Sequence, residues 1–459
     1  MKLHFMRLTS LILVGASLLA TVPVSAQLND GKPDPDFAVP EALNLPYALA
    51  FALDNNFAIR QAKERIRQQD GVVLEVRGPQ IPNVSAAGNY QRNAVKVGLT
   101  GEDRYWSFNI TARQTVYAGG GLTANIRGQQ LTLDAAVLAL QAVINDALLE
   151  VRTRFYTVLV DRERIKVQEQ NVELLQRQLQ DVKNRYEAGT VSNFEVLRAE
   201  VALANAKTPL ITARNDHRLA IEELRQALGF TNATEANLTK IPEFLGTLEF
   251  TPASFDLPSA LSTAHEQRPD LLRLRKLETA AEEGVTVRRA GYLPNVSLFG
   301  AYDWKKGVGS NNFPGDRDGW TIGLSSTWSV FDGRATAGRV AQARSLLEQA
   351  KLGVAEAQLN VDVEVRRAVS TFQEATELAA ASKKVIEQAE EALRLANARY
   401  NAGTATQLDV LTLQGDLTTA RLNQLQAYYS YNVAVATTRK AMGLADEMRP
   451  AGVLKYPAQ

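Results

Sequence analysis

The 459-residue chain contains no cysteine. That excludes disulfide bridges, thiolate metal sites, thiol nucleophiles and a lipidated cysteine anchor. Histidine is nearly as scarce. Past residue 26 only His217 and His265 remain, far apart and without metal-ligand spacing. No Gly-x-Ser-x-Gly occurs, and Ala118-Gly119-Gly120-Gly121 lacks the Lys-Ser/Thr of a phosphate loop. No catalysis, resident metal or cofactor is therefore expected. After the first 26 residues no run of ~18 consecutive apolar residues appears, so no transmembrane helix is expected and any membrane role falls to β-strands. An excess of charge of one sign is missing too. The 51 basic and 50 acidic residues nearly cancel, which argues against nucleic acid as a partner.

What is present begins with a secretory leader. Lys2 and Arg7 precede the apolar stretch Leu8 to Val22, and Val24-Ser25-Ala26 places small residues where a signal peptidase cuts. Residues 1–26 are read as a signal peptide, and 27–41 as a polar, Pro-containing lead-in.

The most informative feature is an internal repeat. The tip sequence Arg185-Tyr-Glu-Ala-Gly-Thr190 returns 214 residues later as Arg399-Tyr-Asn-Ala-Gly-Thr404, and the register holds to Gly229 and Gly443. Upstream, Pro82-Asn-Val-Ser85 recurs as Pro294-Asn-Val-Ser297, a separation of 212, and Trp106 recurs as Trp320. Repeat one is placed at 42–230, a linker at 231–256, repeat two at 257–444 and a tail at 445–459.

Each repeat reads helix, strand, strand, long helix, turn, helix. Residues 129–188 and 354–402 contain neither Gly nor Pro, so very long helices are expected there. Apolar residues follow a heptad seam through Ile165, Gln168, Val172, Leu175, Leu179, Val182 and Tyr186, and again through Ile386, Ala389, Leu393, Ala396 and Tyr400. Gly189 and Gly403 stop those helices, and the seams resume at Val196 and Val410. Both halves are read as antiparallel helical hairpins. The period changes to two over about 83–92, 105–116, 295–305 and 319–331, where strands are expected. Trp106, Phe108, Leu298, Trp304, Trp320, Ile322 and Leu324 fall on the apolar face of those strands, opposite small polar residues such as Ser107, Asn109, Ser297 and Thr321. That is the pattern of a transmembrane barrel, with the seven residues facing lipid, although a soluble hairpin with one buried face alternates in the same way. Four strands cannot close a barrel, so copies must join. Two copies make eight strands with a filled interior, three make twelve, and twelve is the smallest ring with a useful lumen.

These elements resemble the TolC-like outer membrane efflux protein family over nearly the whole mature chain. Gly78-Pro-Gln-Ile-Pro-Asn-Val84 and Tyr292-Leu-Pro-Asn-Val296 enter the strands, Gln114-Thr-Val-Tyr117 and Trp328-Ser-Val-Phe-Asp-Gly333 leave them, and the tips carry the rest. The resemblance implies a mostly α fold with transmembrane β, in which a homotrimer forms a 12-stranded β-barrel continued by a 12-helix periplasmic α-barrel. It implies an outer-membrane exit duct with a periplasmic extension, in a Gram-negative-type envelope, that catalyses nothing. Its implied partners are outer-membrane lipid, a periplasmic adaptor and an inner-membrane transporter, in an efflux or type I secretion system. By the same match Gly189, Thr190, Val191, Gly403, Thr404 and Ala405 face the adaptor. Asp409 projects into the periplasmic entrance, with Tyr400 and Glu195 at the same constriction. Three copies of Asp409 would form a cation-favouring carboxylate ring whose mutual repulsion raises its protonation pKa. Alternatively Asp409 and Glu195 simply complement the dipole of a restarting helix. The sequence departs from the family where Ala405 replaces an arginine and Thr412 a second acid. The other class considered is a periplasmic coiled-coil structural, adaptor or adhesin protein, which needs the heptads but not the amphipathic strand pairs.

Overall fold

The computed structural model describes residues 41–97, 102–230, 241–306 and 317–446. The leader, the lead-in up to residue 40, the first part of the linker and the tail beyond residue 446 lie outside these residues. Residues 42–230 and 243–446 belong to one compact unit. Its first half runs β1 (Ala42–Leu43), α1 (Leu45–Asn55), α2 (Phe57–Arg77), β2 (Asn83–Val97), β3 (Glu102–Ala118), α3 (Gly121–Glu187) and α4 (Asn193–Leu228). The second half repeats the order as β4 (Glu243–Phe244), α5 (Leu257–Gln267), α6 (Pro269–Arg289), β5 (Asn295–Lys306), β6 (Arg317–Thr327), α7 (Ala335–Asn401) and α8 (Gln407–Ala441). Short β1 and β4 pair in parallel, joining the start of one half to the start of the other.

α3 and α7 are each 67 residues long, or ~100 Å at ~1.5 Å per residue. They outrun the glycine-free stretches because Gly128, Gly338 and Gly353 are absorbed inside them. A helical glycine costs about 1 kcal/mol, which packing along a long seam outweighs. On α3 the buried seam residues Gln168, Leu175 and Val182 fall seven apart, and on α4 Val196, Ala199, Ala206, Leu210 and Ala213 are buried. On the second hairpin Leu393 and Ala396 cluster with Val410 and Leu417. α8 also packs on α3, which joins the two hairpins within one chain. Gln414 Nε2 donates to Asn171 Oδ1 at 3.2 Å in that contact, a polar pair of the kind that fixes register between helices.

The two halves fill their cores differently. Around α1 the core is built mainly from large aliphatic and aromatic residues, among them Leu49, Ile59, Leu140, Ile144, Leu148, Phe155 and Leu224. Around α5 it shrinks to Ala260, Ala264, Val361, Val365 and Ala368. Next to it Phe372 and Tyr431 are packed by Phe250 and Phe255 from the connecting segment, with the Phe255 and Phe372 rings edge-on at 4.9 Å. α3 contains a window apolar enough to cross a membrane by length and composition. Leu140, Ile144, Leu148 and Val151 of this helix lie in the core, while 28% of the apolar window is buried within the chain.

A glycine in the left-handed region ends each hairpin and receives the kink between two helices. Asn56 ends α1 and starts α2. Its Oδ1 accepts from the N–H groups of Ala58 and Ile59, and its Nδ2 donates 2.7 Å to the Ala227 carbonyl. Arg268 holds the matching kink between α5 and α6, forking onto Asp270 at 2.6 and 3.0 Å and reaching Glu364 at 2.7 Å. Burial pushes the Asp270 carboxyl up, but the Arg268 fork outweighs it and holds the group below its ordinary range. Gly229 (φ 81°) and Gly443 (φ 78°) lie under these kinks. A Cβ on Gly443 would come 2.8 Å from Arg268 Cα, and one on Gly229 would strike the Asn55 carbonyl.

β2, β3, β5 and β6 form one antiparallel sheet in that order, with β3 and β5 joining the repeats. β6 ends at Thr327, so the aromatic residues beyond it do not continue the ladder. Instead Trp328 turns back, its Nε1 donating 3.1 Å to the Tyr292 carbonyl.

Gly443→Ala should lower the unfolding free energy by ~2 kcal/mol or more, combining a left-handed backbone with a backbone clash. Gly71→Ala, in helix α2 with open space where its Cβ would be, should instead raise it by up to ~1 kcal/mol. Urea titration of the detergent-purified protein compares the two. Equal effects would mean that the Gly443 kink is not tightly packed.

Candidate functional site at the sheet and the hairpin tips

The sheet register decides which side chains share a face. Phe108 lies opposite Trp304, Trp106 opposite Tyr90, Ile110 opposite Tyr302, Tyr302 opposite Trp320, and Leu298 opposite Leu324. With Gly300 opposite Ile322, all seven residues expected on the apolar side stand on one face, alongside Val84, Ala86, Tyr90, Ile110 and Tyr302. The Phe108 and Trp304 ring centres are 5.6 Å apart, and those of Tyr302 and Trp304 4.3 Å. Among the described residues nothing covers this face at β6. Trp320, Ile322 and Leu324 are 75%, 66% and 70% exposed. Ser85, Asn89, Ser107, Asn109, Thr111, Ala301, Thr321 and Ser325 occupy the other face. In the described residues β2 and β6 are each paired on one side only, which leaves two open edges.

At the other end of the long helices the two tip turns are built alike. Gly189 (φ 72°) and Gly403 (φ 74°) take the left-handed conformation, and nothing crowds either position. Glycine is used here for its torsion rather than its size. The Gly189 and Thr190 N–H groups donate to the carbonyls of Tyr186 and Arg185, both at 2.9 Å. Gly403 and Thr404 repeat this on Tyr400 and Arg399 at 3.0 and 2.9 Å. The threonine hydroxyls add bonds to the same Arg185 and Arg399 carbonyls, at 2.8 and 3.1 Å. The Ala-Gly-Thr motif is thus a complete helix stop. It leaves Gly189, Thr190, Gly403 and Thr404 exposed, and Val191 and Ala405 half-buried.

Asp409 closes a capping box. Its Oδ2 accepts 2.8 Å bonds from the Thr406 N–H and hydroxyl, while its own N–H donates to Thr406 Oγ1 at 3.3 Å. Within one chain the Thr406 bonds, helped by the charge of Arg399, hold the Asp409 carboxyl below its ordinary range. Glu195 sits in the first turn of α4, 3.8 Å from Arg198, whose guanidinium stacks 4.6 Å from the Phe194 ring centre. Tyr400 is covered by the guanidinium of Arg185, 4.8 Å from its ring centre. Arg185 Nη2 also donates to Asn401 Oδ1 at 3.2 Å. Among the described residues no hydrogen bond or ion pair joins Asp409, Tyr400 and Glu195 to one another. The Arg185 clasp escaped the sequence reading, although the repeated Arg-Tyr pair was its visible signal. Gln407, buried at the first turn of α8, carried no such signal.

Comparison with known proteins agrees with this architecture. Residues 49–230 and 260–444 match the sequence profile of the outer membrane efflux protein family. Protein CyaE of Bordetella pertussis is 27% identical over 388 residues, covering 84% of this chain and 80% of that protein. Outer membrane protein TolC of Escherichia coli is 24% identical over 398 residues, covering 82% and 77%. Among solved structures, the Campylobacter jejuni CmeC outer membrane channel superposes with a TM-score of 0.75 at 18% identity, over 87% of this chain and 85% of that one. With a profile matched twice, once in each half of a duplicated helix–strand–strand–helix–helix fold, the chain belongs to the outer membrane efflux protein family.

Proposed function

We propose that three copies of this chain close a twelve-stranded barrel in the outer membrane and continue it as a twelve-helix tube in the periplasm. The assembly is a passive exit duct, fed by an inner-membrane transporter through a periplasmic adaptor. The observation that carries this reading is the four-stranded sheet, apolar on one face, polar on the other and open at both edges. In hydrocarbon each unpaired backbone N–H or C=O costs several kcal/mol, so β6 of one copy must find β2 of another. The aromatic and aliphatic face then meets lipid, and the Ser, Thr and Asn face lines a wet lumen. Periplasmic adaptor and adhesin roles give no purpose to the exposed Trp320–Leu324 stripe.

At the far end the tip turns offer exposed, rigid surfaces to an adaptor. Asp409 supplies one carboxylate per copy, kept ionised by its capping bonds, and three such groups around a narrow opening favour cations. Nothing in the lining residues suits bond making, and selection of cargo falls to the transporter.

Native mass measurement in mild detergent should give three chains, and a monomer or dimer would refute the barrel. Ile322→Asp or Leu298→Asp should cost ~2–4 kcal/mol near the membrane midplane and block insertion, read as loss from the outer-membrane fraction. Normal insertion of both variants would mean the two sheet faces are reversed. Asp409→Asn keeps an accepting oxygen for the helix cap but removes the charge. In planar bilayers it should weaken cation preference and block by multivalent cations, while Ala405→Arg should lower resting conductance. If neither variant changes conductance or selectivity, the constriction lies elsewhere.

A further inference from the structure

We propose that Arg399 of each copy clasps Tyr186 and Glu187 of the next copy, locking neighbouring hairpin tips together around the entrance. The inference rests on the cyclic assembly proposed above and specifies a contact within it.

The template lies inside one chain. Arg185 stacks 4.8 Å over the Tyr400 ring centre and donates to Asn401 at 3.2 Å, tying the end of α3 to the end of α7. Moved by the 214-residue repeat, Arg185 becomes Arg399, Tyr400 becomes Tyr186 and Asn401 becomes Glu187. The two tips share the same hydrogen bonds and the same left-handed glycine, so the three groups project from equivalent backbones. A ring assembled from a duplicated chain alternates two junctions. One joins repeat one to repeat two within a copy, and the other joins repeat two to repeat one of the next. Arg185 serves the first junction, and Arg399 stands where the second requires its counterpart.

Two further observations point the same way. Arg399, Tyr186 and Glu187 are all exposed, Tyr186 by 47%, and neither Tyr186 nor Glu187 has a side-chain partner among the described residues. Glu187 is also the last residue of α3, where the negative end of the helix dipole disfavours a carboxylate. The matching residue in the intrachain clasp is the neutral Asn401. A cation arriving from the next copy offsets the charge at Glu187 and turns the Arg–Asn hydrogen bond into an Arg–carboxylate pair. Arg399 already acts on Asp409 through its charge, so the clasp sits beside the proposed ring.

Because the chain lacks cysteine, the contact is testable in the full-length assembled protein. Glu187→Cys combined with Arg399→Cys, treated with a short bifunctional thiol crosslinker, should give covalent dimers and trimers on a denaturing gel. The control pair Arg185→Cys with Asn401→Cys should link within one chain and run as monomer. Glu187→Arg should raise the open-to-closed ratio in bilayer recordings roughly fivefold per clasp lost. Glu187→Arg combined with Arg399→Glu should bring it back. Monomer-only products from the 187/399 pair, or absence of rescue by the charge swap, overturns the clasp while the trimeric mass of the unmodified protein leaves the duct intact. A non-trimeric mass would remove the assembly first and the clasp with it.

Discussion

A backbone polar group in hydrocarbon must be paired, and much of this molecule follows from that requirement. The sheet satisfies it internally along β2–β3, β3–β5 and β5–β6, and among the described residues leaves it unmet at the outer edges of β2 and β6. The third of those pairings and the first are hairpins within a repeat, but β3–β5 joins one repeat to the other. Duplication has thereby supplied, inside one chain, an example of the junction that the proposed assembly requires between copies. The strands also have to hand over to helices at the membrane boundary, and there the halves fit closely. A Cβ on Gly119 would come within 2.9 Å of the Ala290 carbonyl and of Leu293 Cβ, and one on Gly121 within 2.7 Å of Ala290 Cβ. Glycine at these positions lets the exit from β3 pack directly on the entry to β5.

Equivalent positions in the two repeats solve one mechanical problem with different chemistry. Asn56 and Arg268 both bridge a helix kink and both reach the last turn of a hairpin helix, at the carbonyls of Ala227 and Ala441. The asparagine needs no counter-charge. The arginine is buried and needs Asp270 and Glu364, because an unpaired buried guanidinium would be costly. A similar exchange separates the cores. Leucine, isoleucine and phenylalanine dominate the first half, with Phe244 of the connecting segment edge-on to Phe155, whereas the alanine-rich second half takes its large aromatics Phe250 and Phe255 from that segment. The duplicated backbone is kept and the space around it is filled from elsewhere.

What could be read in the sequence was what local periodicity encodes. The seam through Gln168, Leu175 and Val182, the glycine stops at 189 and 403, and the alternation from Val296 to Trp304 all depend on neighbours a few residues away. Features that depend on distant partners were not legible. The helices pass through Gly128 and Gly338 because tertiary packing outweighs a propensity cost of about 1 kcal/mol. β6 stops at Thr327 because the Trp328 indole finds a carbonyl 36 residues upstream, although the apolar pattern runs on to Phe331. Arg185 lies more than 200 residues from Tyr400 and Asn401, and only the fold shows that they meet.

Asp409 shows how the structural and functional readings of one residue combine. Its capping bonds alone would make it a helix-starting residue, as the dipole argument anticipates. Those same bonds, two donated by Thr406 to a single carboxylate oxygen, favour the charged form and would oppose the upward shift that neighbouring carboxylates of the proposed ring would impose. A ring of unrestrained acids crowded at a constriction would relieve its repulsion by taking up protons. A ring of helix-capping acids resists that, because protonation would also weaken the start of α8. Anchoring the carboxylate to its own helix is therefore what would let a proposed ion ring stay charged in a narrow opening.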